Sequence, residues 1–507
     1  MPIMRMLSIS RSRPRTNKRH SLLLQQSLHQ QQRHLKQERS AAAHRDLDLD
    51  LDVDEVLSKS ITSSSSSSSS SVATLAFLLK RCGQAQSLAD GRLVHAHIKR
   101  YKHDRNTFLG NWLIFMYGEC GSMEEARAVF DKLPNPNLHS STILMKAYVK
   151  NDLGKEALEC FYQMQVCGIQ PNRVTFIAAV DACASTANIE KGQELHAVIR
   201  ERGYEGEIVV ATALVNMYGK CGSLEEARAV FNTMPHRNVV SWTAMIDACA
   251  RNGHGKEALE LFYEMQAEGI KPNQITFLCA LDACSSLAAL EKAREVHASI
   301  VKSGCQQTPV IATALVNVYG KCGSLEDARF VFAQMTSRDV VSWNSMIAAF
   351  AQNGHGKEAL GLFHRMRSDS IEPNHVTFLN ILTACSHMGR VDDGKHYFAS
   401  MSRDYGITPK VEHYLCLIDM LGRAGSLDAA EDLINSIPFK NEASVWLCLL
   451  SACTRHGDIE RGIRAANHAL ELDPKRAAPY LLLSNMYASS GRQDDAKKHR
   501  KVWKNNN

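Results

Sequence analysis

VVSWTAMIDACARNGHGKEALELFYEMQAEGIKPN, residues 239–273, reads as two short helices with an exit at Gly269-Ile-Lys-Pro272-Asn273. The 31 residues before it, 208–238, make the same unit in shorter form. Leu214, Met217 and Tyr218 follow helical spacing, and Gly222 is a fitting stop after the last helical turn. Ser223 to Glu226 predicts a capping box that starts a second helix, and Leu224, Ala227 and Phe231 give that helix an apolar stripe closed by Pro235. Together with residues 173–207 these units form a block of 101 residues that repeats three times without a gap from Val72 to Asn374. Cys82, Cys183, Cys284 and Cys385 mark the period, as do His95, His196 and His297, and Tyr117, Tyr218 and Tyr319. Stacked helical hairpins give an all-α fold, a right-handed α-solenoid superhelix of helix-turn-helix repeats, with a long binding surface in place of a single pocket.

Each block divides into 35, 31 and 35 residues, which sets the repeats at 72–106, 107–137, 138–172, 173–207, 208–238, 239–273, 274–308, 309–339 and 340–374. The period then drifts: 375–410 and 411–442 complete eleven repeats over 72–442, and two further hairpins occupy 443–507. The stretch AANHALELDPKRAAPYLLLSNMYASSGRQDDA, within 465–496, resembles a tetratricopeptide repeat, a unit that often binds protein.

Residues 1–45 are expected to be an organelle transit peptide. The first 37 contain no Asp or Glu but six Arg, two Lys, several Ser and a Gln-rich stretch. Residues 46–71 hold the acidic alternation DLDLDLDVDE and nine consecutive serines, and read as linker, because neither segment can bury enough apolar area to fold. Beyond residue 71 there are 48 Lys/Arg against 46 Asp/Glu, so bulk charge does not announce a nucleic-acid binder. Phosphate affinity would need a local stripe of cations. No run of 18 apolar residues suggests a membrane span. The fifteen cysteines include no C-x-x-C pair and read as reduced packing thiols.

Residues 215–238 (VNMYGKCGSLEEARAVFNTMPHRN), 239–273 and 411–439 (VEHYLCLIDMLGRAGSLDAAEDLINSIPF) resemble the pentatricopeptide repeat family, in its plant organellar subclass of alternating long, short and standard repeats. The resemblance covers 72–507, and the hairpins after 442 resemble that subclass's C-terminal extension motifs. It implies sequence-specific binding of single-stranded RNA, one base per repeat, in a mitochondrion or chloroplast. It further implies that the fifth and last residues of a repeat read the base. In the short units these pairs are Asn111 with Asn137, Thr212 with Asn238, and Thr313 with Asp339. In the standard units they are Thr142 with Asn172, Thr243 with Asn273, and Asn344 with Asn374. By the same resemblance the second residues Val174, Val209, Val240, Ile275, Val310, Val341 and Val376 would sandwich the bases; packing against the preceding hairpin explains a valine there equally well. His139 and Glu412 break that pattern.

Adenine and cytosine present a ring-nitrogen acceptor on the Watson–Crick edge, whereas guanine and uracil present a ring N–H donor. An Asn amide can donate to the first kind; an ionised Asp only accepts and suits the second. With Thr or Asn at the fifth position separating purine from pyrimidine, as in the family, the expected target is pyrimidine, A, gap, A, A, gap, G, pyrimidine. The gaps are long units, whose pairs Ile177/Glu207 and Leu278/Thr308 fit no such logic; Leu379/Lys410 and Leu415/Glu442 are equally uninformative.

Other signals lead to packing. His95, His196 and His297 lie one block apart and cannot share an ion along a solenoid, Trp242 and Trp343 are expected in the core, and Gly253-His-Gly-Lys256 lacks the parts of a phosphate loop. No His is followed two residues on by Glu, so the H-x-E and C-x-x-C of a zinc deaminase are both missing. No catalytic residue, metal or cofactor is assigned. The implied function is site recognition for organellar C-to-U RNA editing, with a zinc cytidine deaminase or other editing factor recruited in trans and no membrane partner. A steric RNA stability, splicing or translation factor is the alternative within RNA binding, and a protein–protein scaffold the alternative outside it.

Overall fold

The computed structural model describes residues 68–497 apart from 306, 307 and 475, so the expected transit peptide and nearly all of the linker lie outside the described residues. The described residues are all-α, and the chain divides into two compact units between Pro235 and His236. Each unit is a stack of helical hairpins. From Thr107 the first helices begin at intervals of 31, 35 and 35 residues in rotation as far as His375. Second helices run for 9 or 10 residues in the short units (Met123–Asp131, Leu325–Gln334) and for 13 in the standard ones (Gly154–Val166, Gly255–Ala267).

Within each unit the first helix of a hairpin packs on its own second helix and on the first helix of the next hairpin. Small residues let these first helices approach closely. A Cβ on Gly118 would lie 2.4 Å from the Cβ of Ala147, and one on Gly320 would lie 2.5 Å from that of Ala349. An asparagine then ties each pair together. Asn151 Nδ2 donates to the carbonyls of Gly118 and Ala147 at 2.9 and 2.8 Å, and Asn353 Nδ2 to those of Gly320 and Ala349 at 2.8 and 2.7 Å. These carbonyls, near the helix ends, also accept a main-chain N–H each, so the amide adds a second bond to each of them.

The recurring His and Tyr residues join a long repeat to the short one after it. Nδ1 of His95, His196 and His297 lies 2.7, 2.7 and 2.8 Å from the hydroxyl of Tyr117, Tyr218 and Tyr319. Nε2 of His196 donates to Glu205, so its Nδ1 accepts from Tyr218. Burial pushes the Tyr117 and Tyr218 hydroxyls up to about 12, and lowers the His95 imidazole to about 4. All fifteen cysteines are free thiols, and burial raises Cys82, Cys160, Cys385 and Cys453 to about 11. Trp242 and Trp343 are fully buried.

The capping box predicted at Ser223 is not formed. Ser122, Ser223 and Ser324 stand at the N-cap, but their hydroxyls donate to the carboxylates of Glu125, Glu226 and Asp327 instead of accepting from the helix backbone. The hydroxyl proton goes to the carboxylate, and with ψ of 72 to 77° in place of the extended backbone of a capping residue the serine oxygen accepts no helix N–H. Gly222, by contrast, has φ +78° directly after the C-cap Cys221, the left-handed position the sequence assigned to it.

Candidate nucleic-acid interface

The last residue of a legible repeat is the N-cap of the next repeat's first helix. Asn137, Asn172, Asn238, Asn273, Asp339 and Asn374 all have extended backbone there, and each accepts main-chain N–H groups on Oδ1. The N–H of Ser140 reaches Asn137 at 3.0 Å, Thr175 reaches Asn172 at 3.0 Å, and Thr276 reaches Asn273 at 2.9 Å. Val240 and Ser241 both donate to Asn238, Val376 and Thr377 both donate to Asn374, and Ser342 donates to Asp339 at 2.8 Å.

These bonds decide which way the amide faces. Reversing it would set its NH2 group against backbone N–H donors, so Oδ1 points into the helix end and Nδ2 away from it. An asparagine in this place can offer a reader only a donor. Asp339 spends Oδ1 on the Ser342 N–H and keeps Oδ2 as an acceptor.

The fifth residues lie beneath, in the first helix. Asn111, Thr142, Thr212, Thr243 and Asn344 are buried, and Thr313 is half-buried. Thr142, Thr212 and Thr243 donate their hydroxyl protons to the carbonyl four residues back, at 2.6 to 2.7 Å. The structure brings fifth and last residues together in all three standard units. Asn344 Nδ2 donates directly to Asn374 Oδ1 at 3.1 Å. Thr142 and Asn172 meet through Thr175, whose hydroxyl is 3.0 Å from each; Thr243 and Asn273 meet through Thr276, at 2.6 and 3.0 Å. In the short units no such bridge is seen among the described residues within a unit, and Asn111 Oδ1 is buried without a hydrogen-bond partner. Thr212 and Asn238 fall in different compact units.

Junctions that follow long units differ. Glu207 and Thr308 make no side-chain cap; Glu207 pairs with Arg173 at 3.2 Å, and Thr308 donates to the Cys305 carbonyl. Glu442 makes no side-chain cap either.

Among the second residues, Val209, Val240 and Ile275 are 56 to 61 % exposed, an unusual state for residues of this type. Val174, Val310 and Val341 are half-buried. Val376 is buried at 7 %, so its expected place as a base contact is corrected: it packs within the protein. Phe108, the second residue of the first short unit, is 53 % exposed and was missed because the pattern was framed as β-branched. Also missed was a row of exposed cations at the thirteenth residue of several units, in the last turn of the first helix: Lys150, Lys220, Arg251, Lys321, Arg423 and Arg455. Arg251 pairs with Asp247 at 2.6 Å, and Asp419 holds both Arg423 at 2.6 Å and Arg455 at 3.3 Å. No three His, Cys, Asp or Glu among the described residues come together as a metal site.

Within each compact unit, stacked hairpins with polar residues at their junctions define a helical-repeat protein. The chain belongs to the pentatricopeptide repeat family. Models described as "PPR repeat family" match 136–185, 237–286 and 338–387; "PPR repeat" matches 209–239, 310–340 and 412–441; "E motif" matches 456–507. A pentatricopeptide repeat-containing protein of Arabidopsis thaliana is 39 % identical over 431 residues, 85 % of this chain and 70 % of that protein. The chloroplastic CRR2 of the same plant is 39 % identical, over 85 % of this chain and 66 % of its own length. A mitochondrial member is 38 % identical, over 82 % and 75 %. The maize pentatricopeptide repeat protein PPR10 is similar in fold, with a TM-score of 0.62 at 18 % identity over 86 % of this chain and 64 % of that one. It has also been solved with an 18-nt psaJ RNA element (TM-score 0.62, 19 % identity).

Proposed function

We propose that this chain binds single-stranded RNA sequence-specifically in a mitochondrion or chloroplast and serves as a site-recognition factor for C-to-U editing. It would recruit a zinc cytidine deaminase in trans. The observation that carries the reading is the row of six N-cap residues, each with its inward oxygen committed to a helix and its outward group left as donor (Asn) or acceptor (Asp). Such a row, one per legible repeat, suits the Watson–Crick edges of unstacked bases. Exposed Val209, Val240 and Ile275 would give the bases beside them an apolar face to rest on, and the cations at the thirteenth positions would meet phosphates. Relatives named chloroplastic and mitochondrial support an organelle, and the match to the E motif supports editing.

Selection from a randomised single-stranded RNA pool tests the reading. The full chain is expected to enrich the order pyrimidine, A, gap, A, A, gap, G, pyrimidine. Asn273→Asp should reverse the preference at its own position from A to G, by about tenfold to a hundredfold, the range for hydrogen bonds to charged groups. Enrichment of no sequence would favour a protein scaffold instead. Loss of editing at one organellar site in a plant lacking the protein would separate an editing factor from a steric one.

A further inference from the structure

We propose that Thr175, Thr276 and Thr377, the third residues of the units 173–207, 274–308 and 375–410, are positioning residues for base discrimination by the standard unit that precedes each. This rests on the RNA-reading assignment above and adds a residue that touches no base. All three threonines are 0 % exposed. Each hydroxyl lies between the two members of the preceding pair. Thr175 Oγ1 is 3.0 Å from Thr142 Oγ1 and 3.0 Å from Asn172 Oδ1. Thr276 Oγ1 is 2.6 Å from Thr243 Oγ1 and 3.0 Å from Asn273 Oδ1. Thr377 Oγ1 donates to Asn344 Oδ1 at 2.7 Å and lies 3.3 Å from Asn374 Oδ1.

Proton counting gives the hub a direction. Thr243 donates to the Val239 carbonyl, and Thr276 accepts the Asn273 main-chain N–H at 3.2 Å. The remaining proton of Thr276 must therefore point at Thr243 Oγ1 or Asn273 Oδ1. Pointed at Asn273 Oδ1, the hydroxyl adds a second restraint to the oxygen that also receives the Thr276 backbone N–H; pointed at Thr243, it ties Asn273 to the fifth residue through the Asn273 main-chain N–H. The backbone N–H bond to Oδ1 remains when the hydroxyl is lost, and an amide held by that bond alone turns more readily to present Oδ1 to the RNA and accept from guanine or uracil. The hub thus keeps a donor a donor. At the third residue the short units place Leu109, Val210 and Ile311, which cannot do this, and the long units that precede 208 and 309 are the ones without a legible pair.

The test uses the full chain and RNA oligonucleotides built on the consensus the wild-type chain selects, varied over four bases at the position opposite the repeat 239–273. Thr276→Val removes the hydroxyl at nearly constant shape; Thr276→Ser restores it. The valine variant is expected to lose about threefold to tenfold in its preference for A over G, the worth of one hydrogen bond, and the serine variant to regain it. A uniform loss of affinity for all four bases, with the A-to-G ratio unchanged, would make Thr276 a packing residue and overturn the proposal. Asn273→Asp in the same assay separates the two levels. If it shifts A to G while Thr276→Val changes no ratio, only the hub fails; if it too changes nothing, or the wild-type chain selects no consensus, the reading beneath it fails as well.

Discussion

The junctions that end at Asn172, Asn273 and Asn374 and those at Lys410 and Glu442 solve the same problem with opposite consequences. At the first set an asparagine caps the incoming helix and keeps an outward amide NH2. At Lys410 the cap role passes to His413, whose Nδ1 accepts the Lys410 N–H at 3.1 Å while Nε2 donates to the His375 carbonyl at 2.8 Å. Both nitrogens are spent inside the protein. After Glu442 the polar groups go into ion pairs: Arg461 binds Asp428, Glu431 at 2.7 Å and Asp458 at 2.9 Å, and Arg464 binds Glu431 at 3.1 Å. The asparagine junctions through Asn374 keep an outward polar group, whereas at Lys410 and after Glu442 the polar groups named bind within the chain.

The largest effect expected from this contrast is on removing residues 443–507. Val445, Leu449, Leu450, Ala465 and Leu483 share one buried core with Ile418, Leu421 and Ile434 of the last repeat. Each large apolar side chain uncovered on deletion loses about 1.5–3 kcal/mol. The truncated chain should therefore lose its last repeat as well, seen as proteolysis around 411–442 and a lower unfolding temperature. A truncated chain that keeps residues 411–442 protease-resistant would show that the extension hairpins are an appendage. Deletion is accordingly a poor way to isolate a recruiting role for them; substitutions at exposed Leu472 and Leu481 leave the core intact.

A smaller effect separates the junctions by pH. Burial lowers the His413 imidazole, and lowers that of His95 to about 4. In the unfolded chain a histidine titrates near ~6.5, so on acidification the unfolded state takes up protons first. Stability is whole above about pH 6.5 and declines below it, by at most about 1.4 kcal/mol per pH unit for each such histidine. Calorimetry at pH 7, 6 and 5 should show the fall, and His413→Gln should make it shallower. Asn172→Gln, at a junction whose cap carries no imidazole, should leave the slope as it is.

The period, the helices and the polar pairs were legible because they repeat, and the drift after Asn374 was legible for the same reason. The double duty of Asn273 was not. A Thr three residues into a helix is ordinary in sequence, and only the 2.6 Å contact to Thr243, a residue of the neighbouring hairpin, shows that Thr276 joins the fifth and last residues of the preceding repeat. The row of cations was hidden because carboxylates such as Asp247 and Asp419 sit four residues earlier and cancel it in any net charge. Val376 misled because a β-branched residue at a helix start looks the same whether the next layer covers it or not. The Ser–Glu boxes misled through side-chain chemistry that spacing alone does not fix.

The smallest effect expected is also the most direct measure of the two kinds of junction, and both members lie in the first compact unit. Asn172→Ala removes the cap on the first helix of 173–207 together with the Thr175 hydroxyl's acceptor, and should cost about 1 kcal/mol, within the usual range for a lost N-cap. Glu207→Ala, at the next junction, removes only an exposed ion pair to Arg173 and should change stability by less than about 0.5 kcal/mol. Thermal unfolding of the two variants beside the parent checks the difference. Equal losses would mean that Glu207 supports its helix as Asn172 does, and the division between junctions that can read and junctions that cannot would lose its structural basis.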